Sequence, residues 1–356
     1  MPELESIIDQ KQPIAFLTAL LRKRIISGSL LFTGIEGVGK KTAAIAFAAA
    51  YNCLNRKFVD FSNNKEKNFT KTSDQNMTLS GCGLCRSCKK IESDSHPDII
   101  TVKPAGFFIK IDQIRSLCGT LAMKPYEARL RVVIISNAQS MNPEAANALL
   151  KVLEEPPEHT IFILTAAQAS DLLPTVRSRC RQIIFSPISK KNIAVFLVEK
   201  YRINRDDATI VAALANGSIS KAISLSRTDW VKQRRWLLNA SGLNHPESLS
   251  SRPISFSLAF AEKLLRKKEL LQDSLQLLKF WLRDLIIYRY CSEKVINSDL
   301  TEELKYASEH ISDASILAKI EAVRSAQKNI QLNANLRLTL ETMVIKFAKN
   351  YDKRLS

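Results

Sequence analysis

The chain has 356 residues, so at roughly 100–200 residues per domain two or three domains are expected rather than one. Hydrophobic residues at 46% and charged residues at 24% form an ordinary globular balance and exclude a disordered or collagen-like chain. The 52 basic side chains exceed the 35 acidic ones, and the net charge of +17 suits nucleic-acid phosphates as well as it suits a lysine-rich, solvated surface.

Apolar stretches such as Ala43 to Tyr51 fall far short of the roughly 20 residues a membrane span needs. The start, Met-Pro-Glu-Leu-Glu, lacks a basic-then-apolar targeting layout, so a cytoplasmic protein without membrane contact is expected. Seven cysteines in that compartment are reduced thiols rather than disulfides.

In chain order, Pro13 to Ile25 reads as a short helix, with Ile14, Leu17, Leu20 and Leu21 on one face. Ser29 to Thr33 is a short buried strand that runs directly into Gly34-Ile-Glu-Gly37-Val-Gly39-Lys40. An alanine-rich helix follows from Lys40 to about Cys53. Strand, glycine loop and helix in that order are the setting of a phosphate-binding loop, in which backbone N–H groups turn toward phosphate and Lys40 meets the outer phosphates. The next residue of that pattern is a Ser or Thr whose hydroxyl binds magnesium. Here it is Lys41, and Thr42 comes one position later, rotated by about 100° on the helix.

Residues 56 to 80 lose all periodicity and read as a surface insertion. Next come Cys82, Cys85 and Cys88 at intervals of three, tight turns that bring sulfurs within metal-bridging reach. A fourth ligand is expected at Cys53, with His96 as the alternative. Four protein ligands leave no open position, so the expected ion is a structural Zn2+. Cys118, Cys180 and Cys291 are expected to be buried, structural thiols.

Pro97 to Val102 reads as a second strand and Ile111 to Leu121 as a helix. Arg131 to Ile135 is a buried strand, Asn142 caps a helix with Pro143 at its first position, and that helix reaches about Leu153. Thr160 to Thr165 is another buried strand. An ATPase needs carboxylates at the end of the strand that holds magnesium and orients water. Arg131 to Ile135 ends instead in Ser136-Asn137-Ala138-Gln139, so no intrinsic ATP hydrolysis is expected and ATP or ADP binding is doubtful. Strand signals fade after Ser186. Ser189 to Tyr201 and Asp206 to Asn216 read as helices, Gly217 is a stop, and from Ser257 onward the pattern is helical, ending with Ser312 to Gln331 and Leu336 to Asn350.

The run Pro143-Glu-Ala-Ala-Asn-Ala-Leu-Leu-Lys-Val-Leu-Glu-Glu-Pro-Pro157, the strand Thr160 to Thr165 and the triplet Ser178-Arg179-Cys180 resemble the clamp-loader AAA+ proteins of bacteria. With the cysteine module, His96-Pro97-Asp98 and Trp281-Leu-Arg-Asp-Leu285, the resemblance is to the delta-prime branch of that family and spans most of the chain. It implies an α/β, AAA+ parallel-sheet phosphate-loop domain over 1–186 with an inserted zinc module around 53–88. A small helical lid over 187–228 and an all-helical collar over 229–356 would complete it. It further implies a hetero-pentamer with gamma/tau motor and delta subunits, part of the DNA polymerase III holoenzyme, that opens a sliding clamp and places it on primed DNA. Gly34, Gly37, Gly39, Lys40 and Thr42 would form a vestigial nucleotide site. Arg179 would be an arginine finger offered to the neighbouring motor. The sequence departs from its relatives in the long spacing between Cys53 and Cys82, and it has no arginine near Gly217-Ser218, where the family has a second sensor. Two rivals are an active gamma/tau-like motor, which needs carboxylates at 136 and 137, and a zinc-dependent DNA-binding protein, which leaves the phosphate loop unexplained.

Overall fold

The computed structural model describes residues 3–22, 28–55, 80–227, 230–243, 253–332 and 334–349. The insertion expected at 56 to 80 lies outside them except for Ser80, as do the last residues of the helix expected to reach Ile25. The chain divides into two units, one of residues 1–192 with 217–221 and the other of residues 193–216 with 222–356.

The first unit is built on five parallel strands: β1 (Gly28–Thr33), β2 (Ile99–Val102), β3 (Arg131–Ile135), β4 (Thr160–Ala166) and β5 (Arg181–Ile184). Their order across the sheet is β2-β3-β4-β1-β5. Parallel strands are buried on both faces and therefore read as unbroken apolar runs, as Arg131-Val-Val-Ile-Ile135 does. Side chains alternate between the faces with period two. Accordingly Leu30, Phe32, Val132, Ile134, Ile161 and Ile163 pack in one core cluster with helices α1 (Lys11–Leu21) and α2 (Lys40–Asn52). Leu31, Val133, Ile135, Phe162 and Leu164 pack in the other with α4 (Ile111–Leu121) and α5 (Pro143–Glu154). Asn142 caps α5 as its sequence announces, its side-chain oxygen accepting from the N–H of Ala145 at 3.0 Å.

Three elements lack a legible signal. They are α3 (Arg86–Glu92) behind the cysteines, the four-residue α6 (Pro174–Arg177), and β5. β5 is an edge strand in which Ile183 alone is buried, so its sequence carries neither an apolar run nor a clean alternation.

The second unit is helical, with segments including Arg205–Leu214, Trp230–Ser241, Ile254–Arg266, Leu271–Tyr290, Thr301–His310, Asp313–Gln331 and Leu336–Lys349. Leu275, Leu278, Trp281, Leu282 and Leu285 are buried at helical spacings. Asp284, also fully buried, accepts from the N–H groups of Ile296 and Asn297 at 2.8 Å each and pairs with Arg283 at 2.7 Å. Lys319 is buried as well; its ammonium donates to the carbonyl of Phe347 at 2.8 Å, and burial lowers its pKa to about 8. Among the described residues no helix is long and apolar enough to cross a membrane.

Candidate functional site

In a parallel sheet the segments that follow the strands emerge at one rim, where α/β proteins bind ligands. The glycine loop after β1, Lys103 after β2, Ser136 and Asn137 after β3 and Thr165 near the end of β4 meet there, around a cavity of about 410 Å³. Lys40, Lys41, Thr42, Gly37 and Gly39 line it with them. Gly34 sits at the start of the same loop, where its N–H donates to the carbonyl of Ala167 at 3.1 Å.

Gly37 has a φ of +81°, and a Cβ there would stand 2.2 Å from the hydroxyl of Ser218 and 2.8 Å from Cβ of Ser220. Only glycine suits both the backbone and that close approach. The N–H of Ile219 donates to the carbonyl of Gly37 at 3.0 Å, so residues 218–220 are seated on the glycine loop itself. Lys40 folds back on the loop, its ammonium donating to the carbonyl of Gly34 and, at 2.9 Å, to that of Ile35. Burial lowers the pKa of Lys40, and burial followed by repulsion from Lys103 lowers that of Lys41. Thr165, at the expected sensor position, accepts from the N–H of Asn137 at 3.1 Å. Glu36 is the one carboxylate among the described residues lining the cavity.

The four cysteines of the expected ligand set come together. The sulfurs of Cys53, Cys82, Cys85 and Cys88 all lie within 4.8 Å of one another. Cys53 follows the last residue of α2, and Cys88 is buried in α3. Gly81 lets the ribbon approach α2, since a Cβ there would lie 3.1 Å from both Cβ of Ala49 and Sγ of Cys88. This glycine has no sequence motif that singles it out. Backbone N–H groups point at the sulfurs, from Cys82 to Cys53 at 3.4 Å, from Cys85 to Cys82 at 3.3 Å and from Cys88 to Cys85 at 3.5 Å. Such donors favour thiolate. The N–H groups of Cys85 and Leu84 bring the exposed Cys82 down to about 6. Burial pushes Cys53 and Cys88 up. At Cys85 burial acts upward, yet the N–H groups of Cys88 and Leu54 help leave its thiol below the ordinary value. Four convergent sulfurs with N–H support can hold a metal ion.

His96, the alternative fourth ligand, is elsewhere. It is buried, its Nδ1 accepts from the N–H of Asp98 at 3.2 Å, and its Nε2 stands 3.8 Å from Glu127. Cys118, Cys180 and Cys291 are half-buried rather than buried; Cys118 and Cys180 pack against the outside of the core cluster that holds α4 and α5. The thiol of Cys180 is still pushed up by burial, to about 12.

Arg179 follows α6 and is about one-third exposed, with 31% of its side chain accessible. Its guanidinium pairs with Glu154 at the end of α5 and donates to the carbonyl of Thr175 at 2.8 Å. Arg177 and Arg181 flank it and are exposed; Arg181 lies over the ring of Phe16 at 4.2 Å. Glu154 as partner of Arg179 had no advance signal beyond its place in the Glu-Glu-Pro-Pro run.

Residues 9–189 match the family described as DNA polymerase III, delta subunit. The DNA polymerase III subunit delta' of Bacillus subtilis (strain 168) is 29% identical over 340 residues, which cover 94% of this chain and 95% of that protein. The tau subunit of the same organism is 26% identical over 369 residues, covering 97% of this chain and 61% of tau. A delta' subunit of Pseudomonas aeruginosa is 34% identical over 154 residues, 43% of this chain and 41% of its own. Among solved structures, a gamma subunit-related protein of Thermotoga maritima aligns over 97% of this chain and 100% of its own at 18% identity, with a TM-score of 0.44.

Proposed function

The chain belongs to the DNA polymerase III, delta subunit family, and from that premise we propose that it is a clamp-loader subunit of the delta-prime kind with a silent ATPase site. It would join gamma/tau-like motors and a delta subunit in a hetero-pentamer that opens a sliding clamp and sets it on primed DNA in the cytoplasm. The rim cavity carries the reading. Where a motor needs carboxylates to hold magnesium and activate water, the residues that line the cavity after β3 are Ser136 and Asn137, a hydroxyl and a carboxamide. Neither group supplies negative charge, and neither is a base near neutral pH. Similarity to tau over 97% of the chain would suit a motor equally well, and these two residues argue against it.

Arg179 would then act in trans. A guanidinium fork suits the γ-phosphate of a neighbouring subunit, and its partial exposure supports that role. Cys53, Cys82, Cys85 and Cys88 would hold one structural Zn2+, since four protein ligands leave no coordination position for a substrate. We further read residues 1–186 as the AAA+ domain, 187–228 as a lid and 229–356 as a collar. The test is to mix the chain with motor and delta subunits and size the product. Entry into a ring that loads clamps is expected, and failure to enter one would overturn the reading.

A further inference from the structure

Of the arginines at 177, 179 and 181, Arg177 is exposed and Arg181 lies against the ring of Phe16, whereas the guanidinium of Arg179 is held on two sides. On one side Nε donates to a carboxylate oxygen of Glu154 at 2.6 Å, and Nη2 donates to the same oxygen. On the other, Nη1 donates to the carbonyl of Thr175 at 2.8 Å. A guanidinium carries five N–H donors in a rigid plane, and three are engaged here. The two that remain lie one on each terminal nitrogen, beyond a long 3.5 Å contact from Nη1 to the hydroxyl of Ser178. Donors on the two terminal nitrogens are a pair that can take two oxygens of one phosphate side by side.

Both anchors stand on packed elements. Glu154 is the last residue of the 12-residue helix α5, next to Leu153, and Thr175 lies in α6, next to Val176. Leu153 and Val176 belong to one buried core cluster. With 31% of Arg179 and 47% of Glu154 accessible, the ion pair itself contributes little to stability. Its consequence is to hold a long side chain in one arrangement, which is what a functional group needs from its neighbours.

We infer that Glu154 is the positioning residue of Arg179, fixing the guanidinium with its two terminal donors free before a neighbouring motor's phosphate reaches it. The inference rests on the arginine-finger reading above and adds the residue that sets the finger. Without the carboxylate the side chain has to be immobilised at each encounter, and the rotamer freedom of an arginine corresponds to up to about thirtyfold in the docked population. Thr175 keeps part of the restraint, so the loss is smaller. Glu154 supplies an acceptor at a set distance rather than negative charge, which by itself opposes a phosphate. Gln at 154 keeps that acceptor. Asp is one methylene shorter and falls short of the guanidinium from the end of a packed helix.

The test is clamp loading and DNA-stimulated ATPase at saturating ATP by loaders reconstituted with each variant, with assembly checked by size. Loading should fall about three- to tenfold with Glu154→Ala and with Glu154→Asp, and Glu154→Gln should retain most of it. Glu155→Gln, an equal charge change at the exposed neighbouring residue, should load normally. In an Arg179→Ala background Glu154→Ala should cost nothing further. In the isolated chain the Nε–H resonance of Arg179, assigned by its loss in Arg179→Lys, should be protected from exchange in wild type and Glu154→Gln and unprotected in Glu154→Ala. The inference is overturned by normal or raised loading with Glu154→Ala, by Asp at wild-type level with Gln impaired, by an equal loss with Glu155→Gln, by a further loss in the Arg179→Ala background, or by an unprotected wild-type Nε–H. An impaired Arg179→Ala loader beside a normal Glu154→Ala loader sinks this inference alone. Normal loading by Arg179→Ala sinks the finger reading, and the role of Glu154 with it.

Discussion

Removing the carboxylate of Asp98 should destabilise the first unit by about 3–5 kcal/mol, the cost of deleting one partner of a buried ion pair. Asp98 is 1% exposed and lies 3.5 Å from the guanidinium of Arg131, itself 3% exposed. Its two oxygens also accept from the N–H groups of Tyr126, Glu127 and Ala128, each at 2.8 Å. Those donors are partly buried, and water entering the space left by the carboxylate can replace the acceptor, so their loss adds less than the stranded charge does. The stranded charge of Arg131 is what decides the magnitude, although its bonds to the carbonyls of Met123 and Lys124 soften it. Asp98→Asn keeps one acceptor oxygen and should cost about half as much. Urea unfolding followed by far-UV circular dichroism measures the effect. At about 2–3 kcal/mol per molar urea, the midpoint should fall by about 1 M or more. All three tryptophans, Trp230, Trp236 and Trp281, lie in the second unit, so the tryptophan fluorescence transition serves as an internal control and should move little. Burial raises the pKa of Asp98, but the three N–H groups and Arg131 outweigh it and leave the pKa lowered. A lowered folded pKa means that the contribution is fully present above the unfolded value of about 4 and is lost as pH falls through the folded value. The gap between wild type and Asp98→Asn should therefore close at strongly acidic pH. A cost within about 0.5 kcal/mol at pH 7 for Asp98→Ala would refute the account.

Elemental analysis should find about one zinc per chain, and Cys53→Ser should lower both zinc content and thermal stability; unchanged values for both would remove Cys53 from the ligand set. The isolated chain should show no steady-state ATP hydrolysis, and turnover abolished by Lys40→Ala would contradict that. In a reconstituted loader Arg179→Ala should leave assembly intact while DNA-stimulated ATPase and clamp loading fall. A finger of this type is worth about 10³–10⁵-fold at the one site it serves, so total turnover falls by less. Arg179→Lys should rescue poorly, because it keeps the charge without the planar fork; normal loading by the alanine variant would point to Arg177 instead.

Where one periodicity dominates locally, the amino-acid order alone was enough. Ile111–Leu121 and Arg131–Ile135 form as the pattern indicates, because a helix face or a doubly buried strand is written in neighbouring residues. The glycine loop, the absent carboxylates at 136 and 137 and the Ser178-Arg179-Cys180 triplet are equally local. What spacing left open was decided by packing between distant segments. Cys53 and His96 were both available as a fourth ligand. The close approach at Gly81 carries Cys82, Cys85 and Cys88 to the end of α2, while His96 is turned toward Asp98 and Glu127. The edge strand β5 exists only because β1 offers it backbone partners from Leu30 to Thr33; its four residues hold one buried side chain and no strand signal. Lys103 is a loop lysine in the sequence and part of the rim cavity in the fold, 63 positions from Lys40, because β2 and β1 are parallel strands of one sheet and their carboxyl ends open on the same side.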